Sequence, residues 1–314
     1  MNNNILFLKP VFQERIWGGR KLEKQFSYDI PAGNIGECWG ISAHPNGESI
    51  VMNGPHQGKK LSELWEKNRD LFGNNQSDKF PLLVKVLDAN LDLSVQVHPD
   101  DNYAHEFENG EFGKTECWYI LECAEGADII FGHNATSKME AKKMVEEGEW
   151  NKFLRRVPIK AGDFFYVPSG TVHALCEGTL VLEVQQSSDT TYRLYDYNRL
   201  DDIGEARELH LEKSLDVITI PHVMKNQKPL VIEHQGVKIT QFVKNEFFSV
   251  FKYDVNGKYA FQADEIYLLI SIIDGAGQVD GVKVNKGDHF IVLPSCEFLN
   301  FTGNFQAIVA RPPL

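Results

Sequence analysis

The segment Lys160–Leu175, KAGDFFYVPSGTVHAL, combines a Gly-Asp turn, an apolar strand and a Pro-Ser turn in close succession. A similar order occurs near the end of the chain in Asn285–Phe301, NKGDHFIVLPSCEFLNF. A pattern that occurs twice in one chain indicates a repeated structural unit, so the sequence predicts two related β-barrels in tandem. When the segments are aligned on their Pro-Ser pairs, His173 falls opposite Leu299, which indicates that the second unit has lost this polar residue.

Short apolar segments separated by Gly, Asn, Asp and Pro make up most of the remaining chain and predict a mainly β fold. The clearest predicted strands are Leu82–Ala89, Leu91–His98, Glu116–Ala124, Asp163–Gly170 and Leu180–Ser188. Helical periodicity is found chiefly in Leu61–Gly73 and Ser137–Val157. In the second of these, Ser137 and Glu140 predict a capping box, and Gly148 is expected to divide the segment into two helices.

The composition is that of an acidic globular protein. Among 314 residues, 44 acidic against 32 basic side chains give a net charge of −12, which disfavours nucleic acids and anionic membranes as partners. The N-terminal stretch lacks the features of a signal peptide, and no run of about 18 apolar residues occurs. The five cysteines form no CxxC pair and are typical of reduced thiols. We therefore expect a cytoplasmic protein that is a monomer or a weak homo-oligomer.

The stretch Leu93–Asp101, LSVQVHPDD, places two polar side chains on one face of a predicted strand. Gln96 and His98 are two residues apart and therefore point to the same side, while the neighbouring valines point into the packed core. Pro99 then ends the strand or lies at its edge. Polar groups in a barrel interior without hydrogen bonds cost about 1–3 kcal/mol each, and a metal ion would satisfy both side chains.

Two further side chains are candidates for the remaining ligands, Glu116 at the start of the next strand and His173 after the Pro-Ser turn. Two imidazoles, one carboxylate and one amide oxygen fit a catalytic zinc site better than a structural site rich in cysteine. Each residue by itself also fits a structural position. The histidines could be hydrogen-bonded in a core, Glu116 could end a solvated strand, and Gln96 could lie on the surface.

The segment Gly162–His173 follows the pattern G-x5-P-x-G-x2-H and resembles the second metal-binding motif of the cupin superfamily. Gln96, His98 and Glu116 resemble the first cupin motif, although that motif usually begins with His-x-His. Four stretches, LLVKVLDANLDLSVQVHPDD, GKTECWYIL, VPSGTVHAL and TTYRLYDYNR, together resemble the type I mannose-6-phosphate isomerases. The resemblance implies one zinc ion per chain, held by Gln96, His98, Glu116 and His173. It also implies interconversion of mannose 6-phosphate and fructose 6-phosphate through a cis-enediol(ate).

The same resemblance implies tandem cupin-type jelly-roll barrels with a small helical insert. Residues 1–210 are expected to form the catalytic domain, with the insert at about 102–113 and 137–157. Residues 211–314 are expected to form a second, cupin-like β domain without metal ligands. The organisation therefore places all the predicted chemistry in the first domain.

A phosphorylated substrate needs cations near the metal, and three basic residues lie in the matching stretches. By resemblance, Arg193 is the catalytic arginine, and Lys114 and Lys85 match lysines of the substrate pocket. We predict catalytic roles for Arg193 and Lys114, because an arginine can neutralise an enediolate or bind a phosphate with two hydrogen bonds. The substrate-binding candidates are Lys85, Asp189, Trp17 and Glu37. The sequence does not identify the general base that the reaction requires.

Two other functions stay open at this level. A cupin without catalytic activity could bind a sugar phosphate in the same pocket. A cupin oxygenase could hold iron with His98, Glu116 and His173. The isomerase is favoured because Gln96 departs from the usual oxygenase set and because basic residues lie in the matching stretches.

Overall fold

β-strands dominate the computed structural model, which describes residues 4–201, 204–224, 228–262, 267–296 and 298–312. The strands are β1 (Ile5–Lys9), β2 (Val11–Gly19), β3 (Ile35–Ile41), β4 (Ile50–Val51), β5 (Leu82–Ala89), β6 (Val95–Val97), β7 (Glu116–Glu122), β8 (Asp128–His133), β9 (Leu154–Pro158), β10 (Phe164–Val167), β11 (His173–Leu175), β12 (Thr179–Gln186), β13 (Tyr192–Tyr195), β14 (Leu230–His234), β15 (Val237–Lys244), β16 (Ser249–Gln262), β17 (Leu268–Val279), β18 (Val282–Asn285), β19 (His289–Val292) and β20 (Phe298–Arg311). The α-helices are α1 (Lys21–Phe26), α2 (Leu61–Lys67), α3 (Asp101–Phe107), α4 (Lys138–Glu146), α5 (Trp150–Phe153) and α6 (Leu211–Val217), and short 3-10 helices occur at Gly54–His56 and Arg69–Phe72.

Hydrogen bonds join the described strands into three sheets. The first has the order β10-β7-β12-β5-β3-β2, and the second has the order β13-β6-β11-β8-β9. The third has the order β14-β15-β16-β20-β17-β19-β1-β4, with β18 paired to β17. Strands β1 and β4 come before residue 210, but they belong to the third sheet, whose other strands come after it. The predicted domain boundary at residue 210 stays a prediction.

The first two sheets pack face to face around one apolar core. Side chains from both sheets meet there, including Trp17, Leu87, Trp118, Phe131 and Val181. A second core joins the opposite face of the first sheet to the third sheet, and a third core fills the interior of the C-terminal strands. The predicted mainly β fold of cupin type is confirmed. The barrels consist of open sheets, because the strand orders of the described residues end in edge strands.

The predicted strands agree with the structure where the apolar run is continuous. Strand β5 has both ends where the sequence placed them. Strand β6 is only three residues long, because Leu91–Ser94 forms a connection in which the Leu93 N–H donates to the carbonyl of Leu175 at 2.9 Å. This short strand nevertheless carries Gln96 at its centre and ends directly before His98.

The helical insert is confirmed as α3, α4 and α5, and Gly148, with a φ of 67°, separates the last two. The Ser137 hydroxyl caps α4 by accepting a hydrogen bond from the Glu140 N–H at 3.2 Å. The other half of the predicted capping box is wrong, because the Glu140 carboxylate accepts from the Thr136 N–H at 2.7 Å. Residues 154–157, predicted as helical, belong to β9. Among the described residues, no helix has the length and apolar character needed to cross a membrane.

Candidate metal centre and active site

Three of the predicted metal ligands meet in the interior of the first two sheets. His98 directly follows β6, Glu116 opens β7, and His173 opens β11. Their potential ligand atoms all lie within 4.8 Å of one another. The Nε2 atoms of His98 and His173 lie 3.5 and 3.4 Å from the two carboxylate oxygens of Glu116. All three side chains are buried, so the cluster forms the floor of a site and not a surface group.

Backbone carbonyls fix the orientation of both imidazoles. The His98 Nδ1 atom lies 2.9 Å from the carbonyl oxygen of Thr190, and the His173 Nδ1 atom lies 2.8 Å from that of Thr171. A carbonyl oxygen only accepts, so Nδ1 carries the proton in each ring and Nε2 presents a lone pair to Glu116. Burial and the nearby Lys114 ammonium lower the pKa of His98 well below its usual value and that of His173 to about 4.

The cluster fits a divalent metal ion. Within the described residues, the Glu116 Oε1 and His173 Nε2 atoms are buried and have no hydrogen-bond partner. An unsatisfied buried polar atom costs about 1–3 kcal/mol, and a bound cation would satisfy both at once. Gln96 is the fourth predicted ligand. It pairs in register with His173 on one side and with Arg193 on the other, and residues opposite each other in an antiparallel pair share a face.

Lys114 contacts the same cluster. Its Nζ atom lies 2.7 Å from the Glu116 carboxylate and 2.9 Å from the Nε2 atom of His98. Burial opposes the charge of this ammonium, but Glu116 and Glu183 raise the pKa of Lys114 above its usual value. The ammonium therefore contacts the His98 lone pair that a metal ion would use.

A cavity of about 320 Å³ opens beside the cluster. Seven predicted site residues line it: Trp17, Glu37, Lys85, Gln96, Lys114, Asp189 and Arg193. The structure thus brings all ten predicted residues to one place, with three in the buried cluster and seven on the cavity wall. Within this wall, the Asp189 Oδ2 atom accepts a hydrogen bond from the Asn46 side chain at 2.9 Å.

Charged side chains on one wall of the cavity form ion pairs with one another. The Arg15 Nε atom lies 2.8 Å from the Glu37 carboxylate, and the Lys85 Nζ atom lies 3.7 Å from it. The Trp39 indole donates to the same carboxylate at 2.5 Å. Burial opposes ionisation, but these partners lower the pKa of Glu37 to about 2, so this carboxylate stays charged at neutral pH. Glu37 therefore orients cations and does not transfer protons.

Glu183 is a cavity residue that the sequence analysis missed. It lies at the middle of β12 and is 4% exposed, and its Oε2 atom accepts a hydrogen bond from the Trp118 indole at 2.9 Å. Burial and the negative charge of Glu116 raise the pKa of Glu183, although Lys114 and Lys85 oppose this shift. The available signal was a single glutamate inside the otherwise apolar run LVLEV. A buried carboxyl with a raised pKa in a cleft is a candidate for proton transfer.

Two arginines, Arg199 and Arg207, bind the Asp196 carboxylate, and Arg207 also lines the cavity. The Arg207 Nε atom lies 2.8 Å from the Asp196 Oδ2 atom, and Arg199 pairs with Oδ1 at 2.5 Å. Arg193 donates from NH1 to the carbonyl of Glu208 at 2.8 Å. Burial and the nearby Arg207 lower the pKa of Arg193. Arg193 and Arg207 both line the cavity, so this end carries an excess of positive charge that suits an anionic ligand.

Comparisons with known proteins identify the family of this chain. Residues 5–121 match the family model for the catalytic domain of type I phosphomannose isomerase, and residues 238–312 match the model for the mannose-6-phosphate isomerase cupin domain. The mannose-6-phosphate isomerase ManA of Bacillus subtilis is 52% identical over 99% of this chain and 100% of its own length. The mannose-6-phosphate isomerase of Streptococcus mutans is 49% identical over 98% of each chain.

A solved structure gives the same result. The crystal structure of a mannose 6-phosphate isomerase from Bacillus subtilis superposes with a TM-score of 0.95, at 50% identity over 98% of this chain and 99% of that one. Identity at this level over nearly the full length of both chains goes beyond a shared fold. The chain belongs to the type I mannose-6-phosphate isomerase family.

Proposed function

We propose that this protein is a zinc-dependent isomerase that interconverts mannose 6-phosphate and fructose 6-phosphate through a cis-enediol(ate). The observation that carries the proposal is the buried cluster of His98, Glu116 and His173 at the floor of a cavity with cationic walls. Near-full-length similarity to mannose-6-phosphate isomerases supports the choice of substrate. Two imidazoles and one carboxylate, with Gln96 beside them, support the choice of zinc.

The metal site supplies one part of the chemistry. When bound by these residues, a zinc ion acts as a Lewis acid that stabilises negative charge on the substrate oxygens. The two backbone carbonyls that accept from His98 and His173 keep both Nε2 atoms unprotonated and aimed at the site. The Lys114 ammonium lies beside Glu116 and His98, so it would be placed to contact a substrate oxygen next to the metal ligands.

Glu183 is the proposed proton-transfer group. The reaction moves a proton between C1 and C2, and one carboxyl can take the proton from one carbon and return it to the other. A raised pKa brings Glu183 closer to neutral pH, where a carboxylate is a stronger base than an ordinary surface glutamate. The hydrogen bond from Trp118 holds the Oε2 atom, and the Oε1 atom lies 4.0 Å from the Lys85 ammonium.

The arginines are the proposed anion-binding groups. Arg193 pairs in register with Gln96, so it lies beside the metal ligands and can neutralise charge on the enediolate. Arg207 lines the same cavity and is held by Asp196, so it can bind the phosphate in a fixed orientation. These cations offset the repulsion that a protein of net charge −12 would exert on a sugar phosphate.

A coupled isomerase assay tests the proposal. Untreated, chelated and zinc-restored protein would be compared with mannose 6-phosphate as substrate. We expect turnover to disappear on chelation and to return with zinc. Protein that is fully loaded with zinc and shows no turnover would contradict the proposal and favour a binding role for the same cavity. Turnover restored by iron and not by zinc would contradict the choice of metal.

A further inference from the structure

Gln185 is a buried residue next to the metal cluster that the proposed mechanism does not use. It lies on β12, where it pairs in register with Glu116 of β7 and shares a strand face with Glu183. The side chain is fully buried. Its Nε2 atom donates two hydrogen bonds, at 2.6 Å to the carbonyl of Ser188 and at 2.8 Å to the carbonyl of Gln186.

These two hydrogen bonds hold a turn that leads to a metal ligand. The Ser188 N–H donates to the carbonyl of Gln186 at 2.8 Å, and the Ser188 hydroxyl accepts from the Thr190 N–H at 3.3 Å. The Thr190 carbonyl in turn accepts from the Nδ1 atom of His98 at 2.9 Å. A continuous set of hydrogen bonds therefore connects the Gln185 amide to the ring of His98.

We propose that Gln185 is a positioning residue that sets the direction and tautomer of His98 through the turn at residues 186–190. This inference rests on one part of the proposed function, the binding of a metal ion at His98. Outer groups that orient a metal-binding histidine contribute to affinity because they fix the lone pair before the ion arrives. The same turn carries Asp189 into the cavity wall, so Gln185 also sets the position of a substrate-facing carboxylate.

The amide is needed for a specific reason. The turn presents two carbonyl oxygens to one side chain, and only a group with two N–H donors satisfies both. Gln185→Met keeps the approximate length and removes both donors. Gln185→Glu places an acceptor against two acceptors and should disturb the turn more strongly.

The test is the metal affinity of the full-length protein, measured by chelator competition with Zn²⁺ and with Co²⁺. We expect Gln185→Met to weaken metal binding by about 10- to 100-fold. Thr179→Val is the matched control, because Thr179 lies on the same strand and is fully buried, and its hydroxyl has no hydrogen-bond partner among the described residues. This control should leave metal affinity at the wild-type value.

A second variant keeps the proposal testable if Gln185→Met does not fold. Ser188→Ala removes the acceptor for the Thr190 N–H and should weaken metal binding by about threefold or more. Wild-type affinity in a folded Gln185→Met protein, or in Ser188→Ala when Gln185→Met is unfolded, would overturn the positioning role. A wild-type protein that binds zinc but does not isomerise mannose 6-phosphate would contradict the proposed function. Loss of metal affinity in Gln185→Met would still support this inference.

Discussion

The two Gly-Asp turns of the repeat have similar backbone conformations, but the strands that follow them line interiors with different side chains. Gly162 and Gly287 both have a left-handed φ, 90° and 95°, which favours glycine at this position. Asp163 and Asp288 each accept a hydrogen bond from the backbone N–H three residues earlier, at 2.9 and 2.7 Å. Strands β10 and β19 follow directly. The turn and the strand after it therefore form one structural unit that occurs twice.

The residues opposite these strands show where the units differ. The last residue of β10 pairs with Glu116 of β7, and the last residue of β19 pairs with Leu268 of β17. In the sequence alignment, Leu299 takes the place of His173. Leu268 and Leu299 are both buried in the core of the C-terminal strands. The positions of two proposed metal ligands in the first unit are thus occupied by buried leucines in the second.

The comparison separates what the fold needs from what the chemistry needs. Burying a leucine stabilises a fold by about 1.5–3 kcal/mol, whereas a buried imidazole or carboxylate needs a partner to avoid a cost. The first unit keeps polar groups at these positions, with hydrogen bonds to backbone carbonyls and with Lys114. The shared turn specifies the strand, and the inward side chains specify the function.

The largest expected effect comes from replacing a candidate metal ligand of the first unit with the leucine found at the same position in the second. His173→Leu removes one imidazole from the cluster, and we expect turnover to fall to the level of chelated wild-type protein. Metal content and isomerase turnover measure the effect. The reverse variant, Leu299→His, is the control and should not add a second metal ion per chain. Retention of wild-type zinc affinity by His173→Leu would remove this residue from the ligand set.

Glu183 gives the second largest expected effect. Its counterpart in the second unit is Val309. Glu183 pairs with the residue two positions after Glu116, and Val309 pairs with the residue two positions after Leu268. Glu183→Gln keeps the shape and removes the base, so turnover should fall about 100-fold or more while zinc affinity is unchanged. Glu177→Gln, at an exposed position, is the control. A Glu183→Gln enzyme with normal turnover would show that another group transfers the proton.

Arg207 is expected to act on substrate binding, and it gives the third largest expected effect. Arg207→Met should raise KM for mannose 6-phosphate by about 10- to 100-fold with a smaller effect on kcat, because hydrogen bonds to charged groups contribute about 1.5–3 kcal/mol. Arg199→Met is a matched control, since Arg199 pairs with the same Asp196 but does not line the cavity. Equal changes in KM for both variants would indicate that only Asp196 matters.

The candidate ligands Gln96 and His98 could be predicted together because strand periodicity relates residues two positions apart. Gln96 and His98 share a face for that reason, and β5 was located by its continuous apolar run. One glutamate in an apolar run was the only sequence signal for Glu183. The positions of Glu183 and Arg207 in the cavity could not be predicted, because they depend on pairing between distant strands and on a long connection. Helices such as α1 and α6, with six and seven residues, are too short for periodicity to identify.

The smallest expected effect concerns acid stability, in which the two units should behave alike. One histidine of each repeated segment is buried, His173 in the first and His289 in the second. Ser271 and Tyr28 form hydrogen bonds with the two ring nitrogens of His289 at 2.8 and 2.9 Å. Burial lowers the pKa of each to about 4. In the unfolded chain histidine titrates near pH 6.5, so between about pH 6.5 and 4 the unfolded state binds more protons than the folded state.

The stability of metal-free protein should therefore fall as the pH is lowered through this window, by about 1.4 kcal/mol per pH unit for each such histidine. His173→Leu and His289→Leu should each reduce that slope by the contribution of one bound proton. His289→Leu also loses two hydrogen bonds, so it should be less stable at pH 7. Urea unfolding of the metal-free proteins at pH 7, 6 and 5 measures the slopes. If only His173→Leu reduced the slope, His289 would make no contribution to the acid sensitivity, and the likeness of the two units would end at the backbone.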